Sequence, residues 1–339
     1  MFNKSIVFVI GAGASYEYGL PLGGTLKSEI AQKVRFRFEY GNRLVSGDHD
    51  LLNHIRRRVP DRERQNDYTR AANVLAAAIG TFISVDEALH YVGATPEAVE
   101  IGKMAIVGQI LEAERNSDLA ISRETGRLDV DHLDGRWLSE LLSMALSGIQ
   151  RSKLRTVFDR VTFINFNYDR CIEHYLYWAL QERASATADE AKEIVQNLNM
   201  IRPYGSIGAL SFNNSDQHSF GAASYFDPFT RIDAMRTYTE QRPLHDTDVL
   251  QAALVDARMI VFLGFGFHAT NIDLLQTGSR KSGAAVLGTI KGIHRENHDV
   301  IRARIKTNLR LVGDTVSLLD MTASELLREL RQRILISVE

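Results

Sequence analysis

The stretch Ser5-Ile6-Val7-Phe8-Val9-Ile10-Gly11-Ala12-Gly13-Ala14-Ser15 decides the fold of this 339-residue chain. A short continuous apolar run rich in Val and Ile reads as a strand buried on both faces, as in a parallel sheet. The small residues that follow let the backbone turn sharply and approach a neighbour closely. A helix starting just after would aim free N–H groups at whatever lies over the turn, an arrangement that suits phosphate or pyrophosphate. Two readings compete here. The turn holds a nucleotide, or its glycines serve only the tight packing of one backbone on another.

Working outward, Val161-Thr162-Phe163-Ile164 and Arg258–Leu263 repeat the buried-strand pattern, and Met200-Ile201, Ala284–Leu287 and Val316–Leu319 are further strand candidates. Helical spacing or composition marks Pro21 to about Val34, Tyr68–Phe82, Pro96–Asn116, Trp137–Ile149, Asp169–Leu180 and Thr322–Ile334. Between residues 35 and 150 almost no strand pattern occurs. Ser211–Ser224 is polar and Gly-bearing, and reads as a loop. The expected architecture is therefore α/β, a doubly wound, mostly parallel Rossmann-like sheet. Residues 1–34 and 151–339 would form that sheet domain, with an inserted helical module over 35–150.

Composition narrows the classes. The chain is 45% hydrophobic and 24% charged, with a net charge of −2, which argues against a broad nucleic-acid surface. The basic run Arg56-Arg57-Arg58, Arg62, Arg64 is interleaved with Asp61 and Glu63 and followed by Asp67, and reads as a solvated helix face or a partner contact. The single cysteine, Cys171, excludes an internal disulfide and a zinc site built on several thiolates, so no metal is expected. The first strand leads directly into the glycine turn without a signal pattern, and no apolar run is long enough to span a bilayer. A cytoplasmic protein without a membrane partner is expected.

Polar clusters fall at the carboxyl ends of the predicted strands: Gly11–Ser15, Asn165–Asp169 and Gly264–Asp273. In an open α/β sheet that edge is where ligands bind, so the clusters should meet around one crevice. Asn167 and Asp169 can both face it if the chain is still extended there. Asp169 serves equally well as a cap for the following helix. Asn167 has no such structural task. Ser15 reads as a cap rather than a nucleophile, since no histidine and carboxylate pattern accompanies it.

In order and context, Gly11-Ala12-Gly13-Ala14-Ser15, Gly19-Leu20-Pro21 and Asn167-Tyr168-Asp169 resemble motifs of the sirtuin family. Tyr204-Gly205-Ser206 stands where sirtuins carry His-Gly, and Gly264-Phe265-Gly266 where they carry Gly-Thr-Ser. The segments Ser84-Val85-Asp86-Glu87 and Ile101–Ile106 are similar to the bacterial sirtuin-like branch. The resemblance covers Ile6 to about Asp273. It implies NAD as substrate, with Gly11, Ala12, Gly13, Ala14 and Ser15 around the pyrophosphate. Asn167 would sit beside the nicotinamide ribose and position or activate water, and Asp169 would accept a hydrogen bond from the carboxamide. Gly264 and Gly266 would admit the adenosine side, with Asn271 or Asp273 near a ribose. It further implies homo-oligomers, a role in anti-phage defence through NAD loss and, in part of the branch, a HerA-type ATPase partner.

Two departures shape the expectation. Deacylating sirtuins hold zinc with four cysteines and this chain has one, so NAD hydrolysis is expected in place of deacylation. Tyr204 replaces the catalytic histidine, and a phenol with a pKa of about 10 is a poor base at neutral pH. Arg202 cannot act as a base at all. His245 and His268 are the replacement candidates, His268 favoured by its place after the Gly264–Gly266 turn, so His268→Ala should cost more activity than Tyr204→Phe. Gly13→Val should crowd the pyrophosphate and spare the fold. The alternative is a non-catalytic NAD- or ADP-ribose-binding subunit. An ordinary nicotinamide oxidoreductase is disfavoured by Asn167-Tyr168-Asp169.

Overall fold

The computed structural model describes residues 2–40, 43–212, 218–223, 227–236, 244–313 and 315–339, with the side chains of 244–246 outside that description. Strand β1 (Ile6–Ile10) leads into the short α1 (Ala12–Tyr16) and α2 (Gly23–Lys33). A small antiparallel ribbon, β2 (Arg37–Glu39) and β3 (Arg43–Ser46), precedes α3 (His49–Arg58), α4 (Arg62–Thr81), α5 (Val85–Tyr91), α6 (Pro96–Asn116) and α7 (Trp137–Leu146). Then come β4 (Val161–Asn165), α8 (Cys171–Ala184), α9 (Ala188–Gln196), β5 (Asn199–Ile201), α10 (Leu244–Asp256), β6 (Met259–Leu263) and α11 (Ala269–Asp273). The chain closes with β7 (Ala285–Thr289), α12 (His298–Asn308), β8 (Val316–Leu319), α13 (Ala323–Glu329) and α14 (Arg331–Val338).

The main sheet has six strands in the order β5-β4-β1-β6-β7-β8, and every pairing in it is parallel. Strand alternation feeds two separate cores. Val7 and Val9 join the core that holds α4 and α6, while Ile6, Phe8 and Ile10 join the one that holds α7 and α8. Both faces of β1 are therefore dry, which is why its sequence is apolar throughout. Helices cover both faces, and the architecture is the expected α/β, doubly wound, Rossmann-like sheet.

Helix ends follow local chemistry. Thr322 and Glu325 form a reciprocal capping box at the start of α13. The single helix expected over 322–334 is instead divided at Leu330 (φ −101°, ψ 12°). The β2–β3 ribbon was not legible, because strands of three and four residues carry too little alternation to register. Of the loop expected over 211–224, residues 213–217 and 224 lie outside the described residues; the rest holds only turns and bends. The division into a sheet domain and a helical module is kept as a proposal. The contacts argue for counting α2, which packs on α4 and α6, with the inserted helices, and α7, which packs on α8 and α13, with the sheet.

Register positions the site. Ile10 lies level with Asn165 on one side and Leu263 on the other, and Ile164 pairs with Ile201. Gly11, Phe166, Gly264 and Arg202 thus leave their strands along one edge.

Candidate active site

The glycines at this edge lock together. The Gly13 N–H donates to the Gly264 carbonyl at 2.9 Å, and the Gly11 N–H to the Leu263 carbonyl at 3.0 Å. A Cβ on Gly11 would lie 2.6 Å from the Gly264 carbonyl oxygen, and one on Gly13 would lie 2.9 Å from the Gly264 Cα. Gly264 adopts φ +58°, and its Cβ would fall 1.9 Å from the Ala14 nitrogen. Close backbone packing at the β1–β6 junction therefore accounts for all three glycines. The Ala14 N–H is also committed, to the Gly11 carbonyl at 3.0 Å. The Ala12 N–H, at the first helical position, makes no main-chain hydrogen bond among the described residues. This corrects the expectation for Gly13→Val: the valine would strike the Gly264 backbone and strain the fold itself.

On the β1–β4 side the polar residues do meet. Asn167 Nδ2 donates to the Gly11 carbonyl at 3.0 Å and to Ser15 Oγ at 2.9 Å. Its main-chain N–H is held by Asn165 Oδ1 at 3.0 Å. With its amide protons spent in this way, Asn167 Oδ1 is fixed as an acceptor and receives no hydrogen bond from the described residues. Asp169 is buried, and its Oδ1 accepts the Cys171 N–H at 3.1 Å, so the capping role is realised one residue before the cap position of α8. Burial raises the Asp169 carboxyl above the ordinary carboxylate range, against the opposing pull of hydrogen bonds from Cys171 and Ser15 and of the Arg202 charge. Ser15 is thus the hub between Asn167 and Asp169. Trp137 Nε1 holds this turn from α7 by donating to the Ala14 carbonyl at 2.9 Å.

The β6 side is aromatic. Phe265 packs edge-on to Phe166 at 5.0 Å and to Phe267 at 5.2 Å, and Phe267 takes a left-handed φ of +52°. Tyr204 is buried beside Phe166, and its hydroxyl donates to Asn271 Oδ1 at 2.6 Å. Of the two residues expected near a ribose, Asn271 is tied to Tyr204, whereas Asp273 faces Arg304 at 2.7 Å and Asn308 at 3.1 Å. His268 is exposed at the start of α11, next to Gly266, and its ring makes no hydrogen bond among the described residues. The His245 side chain lies outside the described residues.

Three features here were not legible. Tyr168 donates to Asp86 at 2.6 Å, linking the Asn167–Asp169 turn to α5, and burial raises the Asp86 carboxyl. Glu114 on α6 and Arg170 form a fully buried pair at 2.6 Å, which also receives the Gly221 N–H. Arg202 donates to two main-chain carbonyls of the same turn. Each joins residues far apart in sequence, so no spacing rule signals it. Among the described residues no group of His, Cys, Asp and Glu gathers as metal ligands, and no helix is long and apolar enough to cross a membrane. Two cavities, of about 560 and 470 Å³, lie against α9 and α7 respectively.

The fold and site define an α/β protein with a polar cluster at the carboxyl ends of its central strands. No family model and no curated protein matches the chain. Among solved structures it is similar to a triply substituted Sir2 homologue in complex with 2'-O-acetyl-ADP-ribose, over 99% of this chain and 94% of that one, at 15% identity and a TM-score of 0.39.

Proposed function

We propose that the chain is a sirtuin-like NAD hydrolase that cleaves the nicotinamide–ribose bond. The observation that carries this reading is the Ser15–Asn167–Asp169 cluster, in which Asn167 Oδ1 is presented as an oriented acceptor beside a buried carboxyl. Breaking the glycosidic bond builds positive charge on the ribose, and fixed oxygens placed before the reaction stabilise it without reorganising. Asn167 Oδ1 would accept from a ribose hydroxyl or from the attacking water, and Asp169 from the leaving carboxamide. Water adds to the ribose carbon, nicotinamide leaves with the bonding electron pair, and the surplus proton passes to solvent. The Ala12 N–H would face the pyrophosphate, while the Ser15 hydroxyl holds Asn167 and Asp169 in place.

The sequence resemblance extends this proposal to NAD depletion in anti-phage defence, with self-association and a HerA-type ATPase partner. One observation favours a second reading, a non-catalytic NAD- or ADP-ribose-binding subunit. The Tyr204 proton is committed to Asn271, and no histidine is held at the cluster among the described residues. Incubating purified protein with NAD, with and without a HerA-type ATPase, and resolving free nicotinamide separates the two. Release that is lost in Asn167→Ala supports the enzyme. Tight ADP-ribose binding without release under either condition supports the subunit.

A further inference from the structure

We infer that Arg202 is a positioning residue that sets the side chains of Asn167 and Asp169 by gripping the backbone of their turn. Arg202 follows directly on β5, in the register that places it level with Asn165. Its Nη1 donates to the Asn167 carbonyl at 2.9 Å and to the Asp169 carbonyl at 3.0 Å. Its Nη2 is anchored by Glu173 Oε1 on α8 at 2.7 Å. Both charged side chains are largely buried, at 12% and 19% exposure, so the pair is shielded from the screening that weakens surface ion pairs.

The geometry explains why an arginine is needed. The chain bends at Tyr168 and Asp169 after leaving β4, and its side chains reach different partners. Asn167 reaches Ser15, Tyr168 reaches Asp86 on the other side, and Asp169 reaches the Cys171 amide. Such an excursion leaves main-chain carbonyls without sheet or helix partners, and a buried carbonyl without a donor is costly. The planar fork of the guanidinium satisfies two carbonyls two residues apart from one nitrogen while the other nitrogen stays on Glu173. An ammonium offers no such fixed fork. Fixing these carbonyls fixes the peptide planes that follow Asn167 and Asp169, and hence the directions in which the two side chains project. Arg202 hydrogen-bonds to neither side chain; it grips the main chain, and its charge also favours the ionised form of Asp169.

The inference rests on the NAD reading for its kinetic consequence but not for its structural one, and the test reads both. NAD cleavage, thermal unfolding and amide hydrogen exchange by mass spectrometry are compared for wild type, Arg202→Ala and Arg202→Lys. Arg202→Ala should lower kcat on the order of a hundredfold with KM changed less than about threefold, the pattern of lost transition-state geometry rather than lost binding. Added guanidinium should restore part of the loss. Exchange in peptides covering 166–171 should rise at least about tenfold, while peptides from β1 and β6 stay unchanged, as expected for local rather than global opening. Turnover within twofold of wild type, or exchange that rises equally throughout the chain, would overturn the assignment. If Arg202→Ala does not fold, Arg202→Lys decides by the same criteria, with an expected kcat loss of about tenfold. If the wild type neither cleaves NAD nor binds ADP-ribose, the NAD reading fails. The exchange result alone then judges Arg202, and no local acceleration in 166–171 overturns it.

Discussion

The two halves of the strand-end edge are built on opposite principles. On the β1–β4–β5 side, Ser15, Asn167, Asp169 and Arg202 are polar, largely buried and joined by hydrogen bonds that leave Asn167 Oδ1 without a donor among the described residues. On the β6–α11 side, the rings of Phe262, Phe265 and Phe267 pack against one another, and the glycine turn there is shaped by the β1 turn it locks into. One half spends its residues on orientation, the other on close approach. A glycine-rich turn and a polar turn can look equally functional in sequence and still do different work.

The sharpest way to break this contrast is to add one carbon at each of two neighbouring glycines. Gly264→Ala would force a Cβ to within 1.9 Å of the Ala14 nitrogen at φ +58°. No flexible side chain can move aside there, so the variant should lose about 4 kcal/mol or more, at the extreme end of single substitutions. Gly266→Ala meets only the exposed His268 ring, at 3.2 Å, and should cost less than about 1 kcal/mol. Denaturant unfolding of both variants reads the difference, and equal losses would show that the interlock does not set the edge.

Asn167→Ala carries the next largest effect, now on chemistry. It removes the donors to Gly11 and Ser15 together with the free Oδ1. NAD cleavage should fall on the order of a hundredfold or more, as for loss of one preorganised oxyanion-type contact. Stability should fall by only about 1–2 kcal/mol, the worth of two hydrogen bonds. Normal turnover would break the assignment of this half as the reacting one.

The strands were legible, and the difference between the halves was hidden for a physical reason. The strands were readable because burial on both faces forces continuous apolar runs, as in Ile6–Ile10 and Met259–Leu263. Asn167 stood out because it had no local structural task. The fate of Gly11 and Gly13 was open, since the sequence cannot show that Gly264 comes within van der Waals contact of both. Arg202, Asp86 and the Glu114–Arg170 pair were hidden for the same reason. Their partners lie 29 to 82 positions away, and only the folded sheet brings them together.

The polar half also carries a pH signature set by burial. Asp169 and Asp86 are both raised by burial above 3.8, the ordinary carboxyl value. Over the window from that value upward, the folded state keeps protons that the unfolded chain has released, so these two groups make stability fall as pH rises. Asp169→Asn keeps an oxygen for the Cys171 N–H and removes the burden of burying an ionised carboxylate. Its Tm should exceed that of wild type at neutral pH and match it more closely near about pH 4, while NAD cleavage drops. A Tm difference that does not change with pH would show that Asp169 titrates as it does in the unfolded chain.

The smallest effects test whether anything on the β6 side takes part in the reaction. The exposed His268 ring has no hydrogen-bond partner among the described residues, so His268→Ala should change stability by less than about 0.5 kcal/mol. Tyr204→Phe keeps the ring against Phe166 and removes only the donor to Asn271, a net loss of about 1 kcal/mol of folding stability. Their kinetic effects should divide differently. If Tyr204 only shapes the pocket and orients Asn271, its loss should raise the KM for NAD by a few-fold and leave kcat close to wild type, since the contact is made before and during the reaction alike. If the exposed imidazole takes the proton released on water addition, His268→Ala should lower kcat, and the fall should shrink as pH rises and solvent base replaces it. Should Tyr204→Phe abolish cleavage while His268→Ala leaves it intact, the hydroxyl would be the acting group. The aromatic half would then share in the chemistry, and the division between the two halves would not hold.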